Sequence, residues 1–162
     1  MVDFNSIESV SAEVLKRVPQ QDPFRFIDDI LEIDENHCVA TYTYKKDEYF
    51  YKGHFPGKPM TPGVIMIETM AQTGVVALGI YLLLKEEAAN PDKAGGGEIL
   101  TVFTDVEAEF TAPIDPGEKV IVKAEKLFWR RRKLRAKVEI IKENGDVAAS
   151  ATLSGFGVPK NG

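Results

Sequence analysis

The sequence predicts an α+β domain in which antiparallel strands accompany a single long apolar helix, and three observations carry that expectation. Val64 to Leu84 is apolar almost without interruption, strand-like segments separated by turn sequences follow it, and no compositional break or repeat divides the 162 residues. A chain of this length buries about two-thirds of its unfolded surface in one core, so residues 1–162 are read as one domain.

Taken in chain order, Ser9 to Arg17 has a weak amphipathic pattern and Pro19 ends it, which predicts a short leading helix. Phe24 to Ile33 lacks a clean period, and Cys38 to Tyr44 is rich in strand-favouring residues; both are read as strands. Pro62 and Gly63 open the apolar run at a helix start, where the missing proline N–H loses nothing. The helix stops before a loop at Ala89 to Glu98 that holds Pro91 and three glycines; with no following Gly-Lys-Ser/Thr, Gly95 to Gly97 reads as a linker and not a phosphate loop. Strands are expected at Ile99 to Phe103, Glu107 to Phe110, Lys119 to Trp129, Lys133 to Ile141 and Val147 to Gly157, as an antiparallel meander. Asp115-Pro116-Gly117 and Asn144-Gly145 supply turns, the second suited to a type I′ hairpin. A helix apolar nearly all round must be wrapped by the sheet or covered by a partner subunit.

Composition narrows the function classes. A formal charge of −5 argues against general nucleic-acid affinity, which needs clustered cations neutralising phosphates. One cysteine, Cys38, forms no intramolecular disulfide, and the opening MVDFNSIESV lacks the basic and apolar regions of a signal peptide, so a cytoplasmic protein is expected. Val64 to Leu84 approaches membrane-spanning length, yet it carries Glu68 and Gln72, which favours a buried central helix over a span.

Three elements carry the chemistry. His54 sits in the restrained turn Gly53-His54-Phe55-Pro56-Gly57, which gives an imidazole base a defined direction; taken alone, an ordinary structural histidine is the favoured reading. Glu68 lies inside the apolar run, where burial should raise its pKa and keep a proton for donation; a carboxylate satisfied by local hydrogen bonds is the alternative. Gln72, four residues on, shares its face and can orient it. Gly63 places a helix N-terminus where an oxyanion could be met, although by itself it reads as relief of crowding after Pro62. Together these supply a base, an acid and an oxyanion site, the requirements for α-proton abstraction with loss of a β-hydroxyl. His37 beside Cys38 is set aside, because neighbours on a strand face opposite ways.

The segment Tyr51 to Gln72, YKGHFPGKPMTPGVIMIETMAQ, closely resembles the signature of the (3R)-hydroxyacyl-[acyl carrier protein] dehydratases. It joins GHFPGKP, the PGV helix start and ExMAQ, with weaker similarity from Pro19 to Asp28 and from Asp105 to Val120. The resemblance implies a hot-dog fold, a curved antiparallel sheet wrapped around the long helix, with two protomers joined edge to edge and active sites at their interface. It implies that His54 removes the C2 proton, that Glu68 of the other protomer assists departure of the 3-hydroxyl, that the Gly63 amide binds the thioester carbonyl, and that Gln72 supports Glu68. It implies an acyl carrier protein bearing a phosphopantetheine-linked 3-hydroxyacyl chain as partner, a homodimer with a trimer of dimers as a further assembly, and no metal or redox cofactor. Glu at position 68, where the dehydratase/isomerase branch typically has Asp, implies dehydration without isomerisation.

Some positions depart from the family pattern. Gln20-Gln21 stand where a His-Arg pair is usual, Thr61 where a bulky residue precedes the Pro-Gly pair, and Thr111-Ala112 where basic residues are usual. These bear on acyl preference and carrier docking, and a specialised pathway such as polyketide or pigment synthesis stands beside fatty-acid synthesis. Lys126, Arg130, Arg131, Arg132, Lys133, Arg135 and Lys137 concentrate positive charge around an expected hairpin, which suits docking of an acidic carrier and equally suits a solvated tip. Trp129 beside them reads as a partly buried aromatic before a docking residue. A hot-dog thioesterase and a non-catalytic acyl-carrier-binding module remain as rival functions.

Overall fold

The computed structural model describes residues 1–93 and 97–161. Helix α1 spans Ile7–Arg17, two residues earlier than expected, because Ser6 caps it: its hydroxyl accepts the Ser9 N–H at 3.2 Å. Val10 and Val14 are its buried side, and it packs on β1 and on the C-terminal half of the central helix. The N-terminal arm adds Phe4, edge-on to Tyr81 at 5.9 Å between ring centroids.

Strands β1 (Asp29–Ile33) and β2 (His37–Thr43) form a hairpin whose turn is closed by Asp34, a carboxylate that accepts the N–H groups of Asn36 and His37. The expected strand from Phe24 is therefore shorter. Phe24 and Phe26 do not enter the ladder, because the Gln72 carboxamide accepts the Phe26 N–H at 2.6 Å and donates to the Phe24 carbonyl at 2.8 Å. Backbone groups satisfied by a buried side chain have no need of a strand neighbour.

The remaining strands are β3 (Ile99–Phe110), β4 (Lys119–Arg130), β5 (Lys133–Lys142) and β6 (Val147–Pro159), all antiparallel in the order β1-β2-β4-β5-β6-β3. Only β4 to β6 are a meander; the helix carries the chain across to the far edge, where β3 pairs with β6. The two segments expected on either side of Thr104 are one strand, bent by an irregularity between Phe103 and Asp105. Arg135 holds that bend with a 2.7 Å ion pair to Asp105.

The type I′ turn expected at Asn144-Gly145 is found in the other late hairpin. At Asn144-Gly145 only Gly145 has positive φ, 91°, and its N–H bonds the Lys142 carbonyl, so the turn is type I followed by a left-handed glycine and not type I′. The two-residue turn with both residues left-handed is Arg131-Arg132, φ 50° and 62°, between the paired Arg130 and Lys133.

The central helix runs Gly63–Ala89 as α2 (Gly63–Ala71), a π-helical stretch (Gln72–Ala77) and α3 (Leu78–Ala89), longer at both ends than the apolar run. One 3₁₀ turn, Pro91–Lys93, follows in the expected loop, of which Gly95 and Gly96 lie outside the described residues. The helix packs on β2, β4, β5 and β6, and its apolar length is core. Small residues set the approach. A Cβ on Gly74 would stand 2.5 Å from Val138 Cγ2, with Ala124 and Ala136 each 3.6 Å away, so the helix backbone lies directly on the sheet there.

Candidate active site

Before the helix, the chain from Lys45 to Pro62 folds into a loop tied by its own backbone. The His54 N–H bonds the Phe50 carbonyl at 3.1 Å, the Met60 N–H bonds the His54 carbonyl at 2.9 Å, and Phe55 and Lys58 exchange bonds across Gly57. The half-buried His54 ring lies 4.0 Å from Phe55, nearly parallel to it, and its Nδ1 is 2.9 Å from the Met60 carbonyl. A carbonyl only accepts, so Nδ1 carries the proton and Nε2 of the neutral ring keeps its lone pair. That tautomer is the one a base needs.

Gly63 begins the helix, and its N–H, in the first turn, has no intrahelical acceptor. The space beside it is narrow: a Cβ there would meet the Phe110 ring at 3.2 Å. The crowding that glycine relieves includes the Phe110 ring of β3. Phe55, Val64 and Phe110 around these groups are 48 %, 72 % and 48 % exposed, a concentration of apolar surface at the mouth of the helix.

Glu68 lies in the next turn of α2, half-buried, and has no lysine or arginine partner among the described residues. Burial raises its pKa above the ordinary carboxylate value, and the 2.8 Å bond from Gln72 Nε2 to its Oε1 opposes this. Gln72 is fully buried and uses both polar ends, on Glu68, Phe24 and Phe26. Glu68 and Gln72 are thus brought together as expected, whereas no hydrogen bond joins His54 to Glu68 within the chain. The site splits into two halves, a histidine loop and a helix acid.

The remaining sequence candidates separate clearly. Arg130, Arg131, Arg132 and Lys133 crown the β4–β5 hairpin with no carboxylate partner among the described residues, whereas Arg135 is engaged by Asp105. Trp129 is partly buried and donates its indole N–H to Glu86 on α3 at 2.7 Å, a packing role. His37 sits between Glu32 and Asp34 at the hairpin surface; Cys38 is fully buried, its thiol pushed up to about 12 by burial. Two hydroxyl residues were not anticipated as part of the site: Tyr51 and Thr61, 2.7 Å apart in the core beneath the His54 loop. Ten residues of separation has no periodic signature, so nothing in the sequence pairs them.

A six-stranded antiparallel sheet packed on one long helix, with a histidine loop at its start, defines a hot-dog domain. The FabA-like domain family matches residues 18–152, and the chain belongs to it. A 3-hydroxyacyl-[acyl-carrier-protein] dehydratase FabZ of Thermus thermophilus is 37% identical over 143 residues, 88% of this chain and 92% of that protein. The FabZ of Sodalis glossinidius is 33% identical over 87% of each. Among solved structures, the dehydratase heterocomplex ApeI:P from Xenorhabdus doucetiae superposes with a TM-score of 0.72 at 17% identity, over 91% of this chain and 92% of that one. A thioesterase of Haemophilus influenzae superposes at 0.55 and 17%, over 81% and 78%.

Proposed function

We propose that the protein dehydrates a 3-hydroxyacyl thioester, carried on an acyl carrier protein, to the trans-2-enoyl thioester. The observation that carries this reading is the hydrogen bond from His54 Nδ1 to the Met60 carbonyl, which leaves Nε2 as the base. His54 Nε2 takes the C2 proton, the C2–H electrons form the C2=C3 bond, and the C3–O bond breaks as Glu68 protonates the departing hydroxyl, releasing water. The Gly63 N–H receives the charge that develops on the thioester carbonyl, where a preorganised donor acts most strongly. Gln72 positions Glu68. The proton on His54 then passes through water to the Glu68 carboxylate, which resets the pair.

No hydrogen bond joins His54 to Glu68 within one chain, and in this reading the acid that works with His54 is Glu68 of a second protomer. Supporting this is the edge strand β3, twelve residues long, with Val102, Phe103 and Val106 46 %, 46 % and 43 % exposed. Unprotected apolar edges invite a strand partner, and a homodimer joined there, with trimers of dimers as a further assembly, would cover it. Arg130, Arg131, Arg132 and Lys133, whose side chains have no carboxylate partner among the described residues, are the proposed carrier-docking cations. Fatty-acid synthesis or a related polyketide or pigment pathway, in the cytoplasm, is the setting; dehydration proceeds without isomerisation.

One assay tests the reading: the purified protein with a 3-hydroxyacyl thioester, followed for enoyl formation and for free thiol. Enoyl product without thiol is expected, and His54→Ala should lower turnover about 10²- to 10⁴-fold. Thiol release alone would assign a thioesterase, no product at any chain length a binding module, and a change below about threefold in His54→Ala would remove the histidine from the mechanism.

A further inference from the structure

The proposed base is held by two carbonyls, and both belong to residues next in sequence to a buried hydrogen-bonded pair. The His54 N–H bonds the Phe50 carbonyl and the His54 Nδ1–H bonds the Met60 carbonyl. Phe50 precedes Tyr51, and Met60 precedes Thr61. Tyr51 and Thr61, 4 % and 3 % exposed, bond each other at 2.7 Å through their hydroxyls. Thr61 is in turn fixed to the sheet side of the core, its N–H bonding the carbonyl of the fully buried Ile114 at 3.1 Å. Beside the backbone bonds within the loop, one side-chain bond thus joins its two ends, next in sequence to both carbonyls that bond His54.

We propose that Tyr51 and Thr61 form a positioning clamp, which sets the direction of His54 Nε2 by fixing the spacing of the Phe50 and Met60 carbonyls. Packing alone would not require hydroxyls here. Tyr51 and Thr61 are both buried, and each hydroxyl finds its partner in the other. An apolar contact has no preferred direction, whereas a hydrogen bond between two buried hydroxyls restrains both distance and angle. Burial pushes the Tyr51 phenol up to about 12, so it stays a neutral hydroxyl through the working pH range. Neither residue is given contact with substrate; both act through His54.

The clamp rests on the dehydratase reading for its consequence, and its test separates the two. Thr61→Val, Tyr51→Phe, the double variant and Thr61→Ser are assayed with a 3-hydroxyacyl coenzyme A thioester, with thermal melting and nitrogen NMR of the imidazole in parallel. Each single variant should lower kcat about tenfold with KM changed less than about twofold, because a misdirected base costs rate and not binding. Thr61→Ser should recover most of the loss. The double variant leaves no unpaired hydroxyl, so it should recover melting temperature lost by the singles but not kcat. In the parent, His54 should show one tautomer, protonated on Nδ1, and in Thr61→Val and Tyr51→Phe a mixture. Retention of kcat within about twofold in both singles, recovery of kcat together with melting temperature in the double, or an unchanged tautomer in the singles each overturns the clamp. A parent that turns over no thioester overturns the dehydratase reading, while the imidazole spectra still decide the clamp.

Discussion

The Gln72 carboxamide nitrogen lies 2.8 Å from Glu68 Oε1, and this is the one hydrogen bond of the Glu68 carboxyl among the described residues. Burial raises the Glu68 pKa despite that bond. The folded state therefore binds this proton more tightly than the unfolded chain, whose Glu titrates near about 4.3, and the parent loses stability as pH rises through the folded value. Glu68→Gln keeps an acceptor for Gln72 and carries no such penalty. Its melting temperature relative to the parent should climb between about pH 4 and pH 8 while turnover falls about 10²- to 10⁴-fold. A flat difference across that range would mean a carboxyl solvated equally in both states.

Gln72→Met keeps the volume and removes three bonds. It strands the Phe26 N–H, which belongs to a fully buried residue, and an unpaired buried donor costs about 1–3 kcal/mol. The variant should melt several degrees lower, at roughly 2–4 °C per kcal/mol for a chain of this size. Melting like that of the parent would show that Phe24 and Phe26 find other partners.

Gly74→Ala puts a methyl 2.5 Å from Val138 Cγ2, a short β-branched side chain in the sheet that has little room to withdraw. The helix must lift from Ala124 and Ala136, at about 1–3 kcal/mol for overpacking. Denaturant unfolding measures it. Adding Val138→Ala should restore part of the loss, and no restoration would place the strain elsewhere.

Arg131 and Arg132 both hold left-handed backbone, at about 1 kcal/mol or more for each non-glycine residue. Replacing them with Asn-Gly should raise the melting temperature, since that pair suits a type I′ turn. If the same arginines dock an acidic carrier, the stabilised variant should bind it more weakly, with a flatter salt dependence, by titration at two ionic strengths. Unchanged binding would clear these arginines of docking.

His37 lies 3.1 Å from Glu32 and 2.9 Å from Asp34, and the bond to Glu32 is the first cause of its raised pKa. The stabilisation is complete below the unfolded value, about 6.5, and is lost as pH rises through the folded one. With the side chain 40 % exposed the effect on melting is small, so the direct measurement is proton NMR of the imidazole. Its midpoint should fall in Glu32→Gln; an unmoved midpoint would show that the ion pair does not form in solution.

What was legible in the sequence followed from residues out of place in their surroundings. Glu68 stood out as a charge in an apolar run, Gln72 by sharing its face at four residues, and His54 by its glycine and proline neighbours. The central helix and the strands of the second half were legible by period and length. What was hidden depends on partners distant in sequence. The segment before Asp29 reads as strand, and only the buried Gln72 takes its backbone out of the ladder. Nothing in Thr104-Asp105-Val106 says that Arg135 and Ser154 will keep one strand continuous through a bend. The position of β3 beyond β6, the π-helical stretch and the Tyr51–Thr61 bond are likewise choices of packing, made after local preferences are satisfied.

The edge position of β3, with no strand beyond it among the described residues, also imposes a schedule. Twelve residues of extended backbone with apolar side chains standing out are a template for any strand that reaches them, correct or not. A chain leaving the ribosome therefore enters a race, and the rate at which its proper cover arrives rises with concentration, as does the rate of every wrong encounter. Slow synthesis at low temperature, where folding of each chain outruns collisions between unfinished ones, should give more soluble protein than rapid synthesis of the same mass.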